Sequence, residues 1–263
     1  VTDAARPRGA VFDLDGCIWN GGTLNRGAGE LIADLARHRI GVAFLTNNSR
    51  ATAAGIQTRL AALGIDADAE RVLTPLEIIG TVIRERHGVS RVLVIGAPEM
   101  ARVIGTAGHE VLAVPRYREA TVVAVGADFD LTYERLTVAA RAVAAGAAFV
   151  TPNLDTRLPI EDGDFLPGCG AIVEAVAAAA RRRPEVIGKP EAPLFHLALR
   201  RLGLEPARAV MVGDSEDADV AGALRVGMRA ILYAPGGAAS TRGEAVVRSF
   251  AALRDLLLGA LPR

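Results

Sequence analysis

The feature that most limits what this chain can become is a recurring unit: a short run of Val, Ile, Phe and Ala that ends in small or polar residues, then a longer stretch with helical periodicity. Strands of a parallel sheet are covered on both faces and read as continuously apolar, so this is the pattern of βα units. The expected fold class is α/β. Ala10–Leu14, Val42–Leu45, Val186–Lys189, Ala209–Gly213 and Ala230–Tyr233 form one set of strands, with a helix over Arg50–Leu63 after the second. A second series, Val92–Ile95, Val111–Val114, Thr121–Val125 and Phe149–Thr151, lies between them and suffices for a smaller α/β unit of its own. The chain therefore reads as a discontinuous core, residues 1–77 and 184–263, with an inserted α/β domain over 78–183. Ala177–Ala180 ahead of Arg181–Arg183 reads as a helix closing with cations at its negative end.

Composition removes several function classes. Lys plus Arg and Asp plus Glu number 30 each, so no global field draws in nucleic acid or an anionic membrane. Only Cys17 and Cys169 occur, too few for a disulfide framework, which points to a reducing, cytoplasmic setting. Val1–Gly9 lacks the apolar stretch of a signal peptide, and no run approaches the ~20 apolar residues of a membrane span. A soluble enzyme is the expectation.

Four clusters carry chemistry, each directly after a strand, where open α/β sheets bind ligands. In Asp13-Leu14-Asp15-Gly16 the period of two aims both carboxylates the same way. Such a pair suits one acid that stays ionised as nucleophile and metal ligand and a second that holds a proton, although Asp-Gly is equally an ordinary turn. Thr46-Asn47-Asn48-Ser49 offers a hydroxyl, amides and free helix-start N–H groups to a phosphate, or simply caps a helix through Ser49. Lys189 stands in Gly188-Lys189-Pro190. In Gly213-Asp214-Ser215-Glu216-Asp217-Ala218-Asp219 four acids crowd together, which suits a hard divalent cation such as magnesium. Glu216 and Asp217 read as a helix start facing the positive dipole end. Gly168-Cys169-Gly170 is the nearest approach to a dinucleotide loop and lacks the third glycine.

The order Asp-x-Asp, Thr, Lys, Gly-Asp-x-x-x-x-Asp resembles the four motifs of the haloacid dehalogenase (HAD) superfamily. Asp13-Leu14-Asp15-Gly16-Cys17, Leu45-Thr46-Asn47-Asn48-Ser49, Ile187-Gly188-Lys189-Pro190 and Met211-Val212-Gly213-Asp214 carry a likeness to its NagD-like and 4-nitrophenylphosphatase-like branch. That resemblance implies a Rossmann-like core with a C2-type (IIA) cap between the second and third motifs, and a phosphatase that works through an aspartyl phosphate. It implies Asp13 as nucleophile and Asp15 as acid and base. Magnesium would be held by Asp13, the Asp15 carbonyl and Asp214, with Asp219 in support. Thr46, Asn47, Asn48 and Lys189 would bind phosphate. In the cap loop Asn153, Asp155 and Arg157 would read the substrate. Asp15 argues against dehalogenation. Ser215 and Ala218 depart from the Arg or Asn and the Thr of many relatives. The resemblance also implies a small phosphorylated metabolite as substrate, a polyol, glycerol, glycol or sugar phosphate before a nucleotide or pyridoxal phosphate, and a homodimer formed through the cap. It puts both cysteines near the entrance to the site, where oxidation would inhibit. A phosphotransferase and a non-catalytic nucleotide-binding module are the competing classes.

Overall fold

Ala10, Val11 and Phe12 have no exposed surface, as expected of a strand flanked on both edges and both faces. They belong to β1 (Gly9–Phe12), and in this computed structural model, which describes residues 6–159, 164–237 and 242–259, the chain continues through β2 (Trp19–Asn20), β3 (Thr23–Leu24), α1 (Ala28–Arg37), β4 (Gly41–Leu45), α2 (Ala53–Ala62) and β5 (Val72–Leu73). Next come α3 (Pro75–His87), β6 (Arg91–Ile95), α4 (Pro98–Thr106), β7 (Glu110–Leu112), β8 (Val122–Val125), α5 (Tyr133–Ala144), β9 (Ala148–Thr151), β10 (Arg157–Pro159), β11 (Phe165–Pro167), α6 (Cys169–Ala180) and β12 (Glu185–Val186). The last stretch holds α7 (Ala192–Leu202), β13 (Ala209–Gly213), a π-helical turn over Glu216–Val220, α8 (Ala221–Arg225), β14 (Arg229–Tyr233), β15 (Ala245–Val247) and α9 (Phe250–Leu258).

The chain divides into two compact units: one contains the described residues of Val1–Thr46, Ala53–Leu73 and Lys189–Arg263, the other those of Asn47–Thr52 and Thr74–Gly188. The first is built on a six-stranded sheet in the order β15-β14-β13-β1-β4-β5, parallel at every pairing. In α1, Ala28, Leu31, Ile32 and Leu35 are buried at the i, i+3, i+4, i+7 spacing of a core-facing helix. Asp34, buried on the same helix, is ion-paired with Arg37 and Arg254.

The second unit has its own parallel sheet, β12-β9-β8-β6-β7. The buried faces of α5 and α6, Val138, Ala142, Val173 and Val176 among them, pack with Leu93, Val123, Val125 and Phe149 of its strands. Thr132 caps α5 by accepting from the Arg135 N–H at 3.2 Å. β10 and β11 pair as an antiparallel ribbon.

Two expectations are corrected. The run Val186–Lys189 does not extend the core sheet: only Glu185–Val186 is strand, and it pairs with β9 of the second sheet. Apolar periodicity marks a strand but carries no information on which sheet it joins. The helix expected over Arg50–Leu63 starts at Ala53, because the Asn48 side chain closes its own turn on the N–H groups of Arg50 (3.0 Å) and Ala51 (2.9 Å).

Candidate active site

The core sheet dictates where the polar residues meet. From β1 the chain moves outward to β4 and β5, and later returns on the other side of β1 to lay down β13, β14 and β15. The strand order therefore reverses between β1 and β13, and such a switch point opens a crevice at the carboxyl ends of the strands. Asp13 follows β1 there, its N–H donating to Val212 O at 2.8 Å, and Asp214 follows β13. Thr46 extends β4, its N–H donating to Leu73 O at 3.1 Å.

Lys189, its ammonium carried on a four-carbon stem and buried, reaches into this edge. Its ammonium donates to Asp13 Oδ1, to Asp219 Oδ1 at 2.7 Å and to Leu45 O at 3.2 Å. Asp219 is also buried and takes a second bond at Oδ2 from the Ser215 N–H at 3.1 Å. Ser215 in turn caps the π-helical turn by accepting from the Ala218 N–H at 3.1 Å. The Ser at this position thus organises the loop locally. Gly16 sits at φ 89°, and a Cβ there would lie 2.1 Å from Asp214 Oδ2, so a glycine is needed both for the backbone and for the approach of that carboxylate.

Electrostatics at the edge are unbalanced toward negative charge. Burial pushes the Asp13 carboxyl well above the usual carboxylate range; Lys189 pulls it back, and Asp219 and Asp214 push it up again. Asp214 is raised by burial first and then by Asp219. Burial by itself lowers Lys189, but the charges of Asp13 and Asp219 and their hydrogen bonds prevail, so it is held as an ammonium. Among the described residues the Lys189 ammonium stands beside more than one acid, and carboxylate oxygens of Asp13, Asp214 and Asp219 lie within 4.8 Å of one another. An all-oxygen donor set with surplus negative charge fits a hard divalent cation.

Asp15 is exposed, yet both its oxygens are engaged: Oδ1 accepts the Trp19 indole N–H at 2.7 Å, and Oδ2 accepts from Thr46 Oγ1 at 3.4 Å. The sequence reading overlooked Trp19. Its signal was available, since it is the single tryptophan in a chain poor in aromatics and stands four residues after Asp15.

The remaining candidates lie in the second unit. Asn47 O accepts from the buried Asn153 Nδ2 at 2.6 Å, and Asn153 Oδ1 accepts from the Asp155 N–H at 3.1 Å. The Arg50 guanidinium stacks on Phe129 at 3.6 Å. Arg157 is exposed and lies over Phe165 at 4.2 Å. Gly168 and Gly170 serve this loop, donating to Thr156 O and Asp155 O, each at 2.9 Å. A Cβ on Gly170 would meet Leu154 O at 2.1 Å. Both cysteines are free and buried. Cys17 Sγ points to Val212 O at 3.7 Å, and Cys169 Sγ to Asn153 O at 3.3 Å. Among the described residues no helix is long and apolar enough to cross a membrane.

Fold and edge together are those of an α/β enzyme working at the carboxyl ends of its strands. A family model described as haloacid dehalogenase-like hydrolase matches residues 10–110, and a second, HAD-hydrolase-like, matches 186–257. An acid sugar phosphatase of Staphylococcus epidermidis is 35% identical over 221 residues, 84% of this chain and 84% of its own length. The structure of a 4-nitrophenylphosphatase from Thermotoga maritima aligns with TM-score 0.86 at 26% identity, covering 97% of this chain and 98% of that one. A glycerol phosphate phosphatase from Mycobacterium tuberculosis, determined in complex with magnesium, aligns with TM-score 0.84 at 28% identity, over 97% of this chain and 79% of that one. The chain belongs to the haloacid dehalogenase-like hydrolases, as a phosphatase of the branch that holds the 4-nitrophenylphosphatases. Its two parallel sheets correspond to the core and C2 cap of that branch.

Proposed function

We propose that this phosphatase hydrolyses the phosphomonoester of a small polyol or sugar, in a magnesium-dependent reaction that passes through phosphorylated Asp13. The observation that carries the reading is the buried Lys189 ammonium joined to both Asp13 and Asp219 beside Asp214. A carboxylate attacks a phosphate dianion only where positive charge and position offset the repulsion, because phosphoryl transfer is helped mainly by electrostatics and alignment.

Asp13 attacks phosphorus in line. The ester P–O bond breaks with its electron pair going to the departing oxygen, and Asp15 delivers a proton to that oxygen. In the second half Asp15 takes a proton from water as the water oxygen attacks phosphorus, and the carboxylate of Asp13 is released. Thr46, Asn47, Asn48 and Lys189 hold the phosphoryl oxygens. Asp13, the Asp15 carbonyl and Asp214, with Asp219 in support, would hold magnesium, which when bound would supply positive charge to those oxygens.

Support for the substrate class comes from relatives whose own substrates are sugar and glycerol phosphates. We assign the inserted domain, residues 78–183, to substrate choice. There Asp155 and Arg157 read the organic part, while Asn153 holds their loop to Asn47. Val89 and Tyr133 of that domain are strongly exposed, which supports a homodimer formed through it; a monomer by sedimentation would overturn that part alone. Free, buried cysteines suit a reducing cytoplasm.

The test is phosphate release from glycerol, glycol, sugar, nucleoside and pyridoxal phosphates, with and without magnesium, by the native chain and by Asp13→Asn. Turnover of polyol or sugar esters that needs magnesium and disappears in the variant supports the reading. A nucleotide or pyridoxal phosphate at the head of the ranking overturns the substrate class, and turnover retained by Asp13→Asn overturns the nucleophile.

A further inference from the structure

A proton donor on an exposed carboxylate faces a difficulty: the group rotates freely, and either oxygen can carry the proton. At Asp15 that freedom is removed. Trp19 is 2% exposed and its indole N–H meets Asp15 Oδ1 at 2.7 Å. Its backbone is tied on both sides, the N–H donating to Leu14 O at 3.0 Å and the carbonyl accepting from the Gly16 N–H at 2.8 Å. The ring is held from above by the Arg59 guanidinium at 4.2 Å, and Arg59 is itself anchored by donating to Gly21 O. The short β2–β3 pairing, with Trp19 opposite Leu24, completes the frame.

We propose that Trp19, clamped by Arg59, is a positioning residue for proton delivery by Asp15. This rests on the reading of Asp15 as proton donor to the leaving oxygen. An indole nitrogen donates and never accepts, so Trp19 cannot relay the proton itself. By donating to Oδ1 at 2.7 Å it holds that oxygen as an acceptor, and the proton goes to Oδ2, whose neighbour, the Thr46 hydroxyl, is farther off at 3.4 Å and can accept as well as donate. Orientation then decides how well departing groups that require protonation are served.

The measurement is the dependence on leaving group. Native chain, Trp19→Phe, Arg59→Gln and Asp15→Asn are compared on 4-nitrophenyl phosphate, whose phenolate leaves without help, and on glycerol 3-phosphate, whose alkoxide does not. The quantity is kcat/KM, which reports the steps up to P–O cleavage and omits the hydrolysis of the phosphorylated enzyme shared by both esters. Trp19→Phe keeps an aromatic face for Arg59 but removes the N–H together with part of the buried ring system. It is expected to lose about tenfold to a hundredfold on the alkyl ester and about threefold or less on the aryl ester. Arg59→Gln should lose less, with the same bias, and it supplies the comparison should Trp19→Phe fold poorly. Equal losses on both esters would show a merely structural role and overturn the proposal, as would no loss on either. If Asp15→Asn itself lacks the bias, the reading of Asp15 as acid has failed, independently of Trp19.

Discussion

At the scale of single residues, charge and burial decide what each group can do. Lys189 is surrounded by acids that would otherwise repel one another in a buried place, so its removal acts on stability as well as on chemistry. Breaking a buried ion pair by deleting one partner costs about 3–5 kcal/mol. Lys189→Met is therefore expected to abolish turnover and to lower the metal-free melting temperature, as read by calorimetry; an unchanged melting temperature would show that the ammonium is not needed to hold Asp13 and Asp219 together. The thiols are governed by the same physics. Burial pushes Cys169 up to about 11, its hydrogen bonds with Thr151 and Asn153 notwithstanding, and burial also holds Cys17 well above its ordinary value. At pH 8 roughly a thousandth of Cys169 is thiolate, the reactive form. Iodoacetamide should label neither cysteine in the native chain and both after denaturation, and peroxide should leave phosphatase activity intact. Rapid native labelling would show that the thiols open to solvent.

At the scale of elements, caps and close approaches set the cost of a substitution. The Thr132 side chain satisfies a free N–H at the start of α5, whose inner face contributes Val138, Ala139, Ala142 and Val143 to the core of the second unit. Thr132→Ala should cost about 1 kcal/mol in chemical denaturation, and Thr132→Ser close to nothing. Gly170→Ala is expected to cost more, on the order of 1–3 kcal/mol, because the new methyl would press on the carbonyl of Leu154 and the loop holding Asp155 would have to move. If the two variants prove equally mild, the contact between that loop and the start of α6 is looser than its hydrogen bonds imply.

At the scale of the whole molecule, a cation held by the acids at the edge of the core sheet would make stability a function of metal. A cation that binds the folded chain and not the unfolded one adds about 2.7 kcal/mol at a concentration a hundredfold above its dissociation constant. Magnesium should accordingly raise the melting temperature, EDTA should reverse the rise, and Asp214→Asn should abolish it without loss of fold. A magnesium shift that survives Asp214→Asn would move the metal away from this cluster.

The division between sequence and tertiary structure follows from the range of the forces involved. Local periodicity and strand composition were enough for the α/β class, for most strands within a residue or two, and for the series of polar clusters after them, because burial on both faces of a parallel sheet writes itself into consecutive residues. Short elements were not readable in the same way: β2, β3, β5 and β15 span two or three residues, too few for a period. Pairings between distant segments were decided only in three dimensions. The sheet joined by β12, the three partners of the Lys189 ammonium and the grip of Trp19 on Asp15 all depend on contacts that periodicity cannot encode. The sequence by itself determined which chemical groups this protein possesses and that they follow strands. The reversal of strand order between β1 and β13 decided that Asp13, Lys189, Asp214 and Asp219 face one another, since only there do segments far apart along the chain come within the reach of a hydrogen bond.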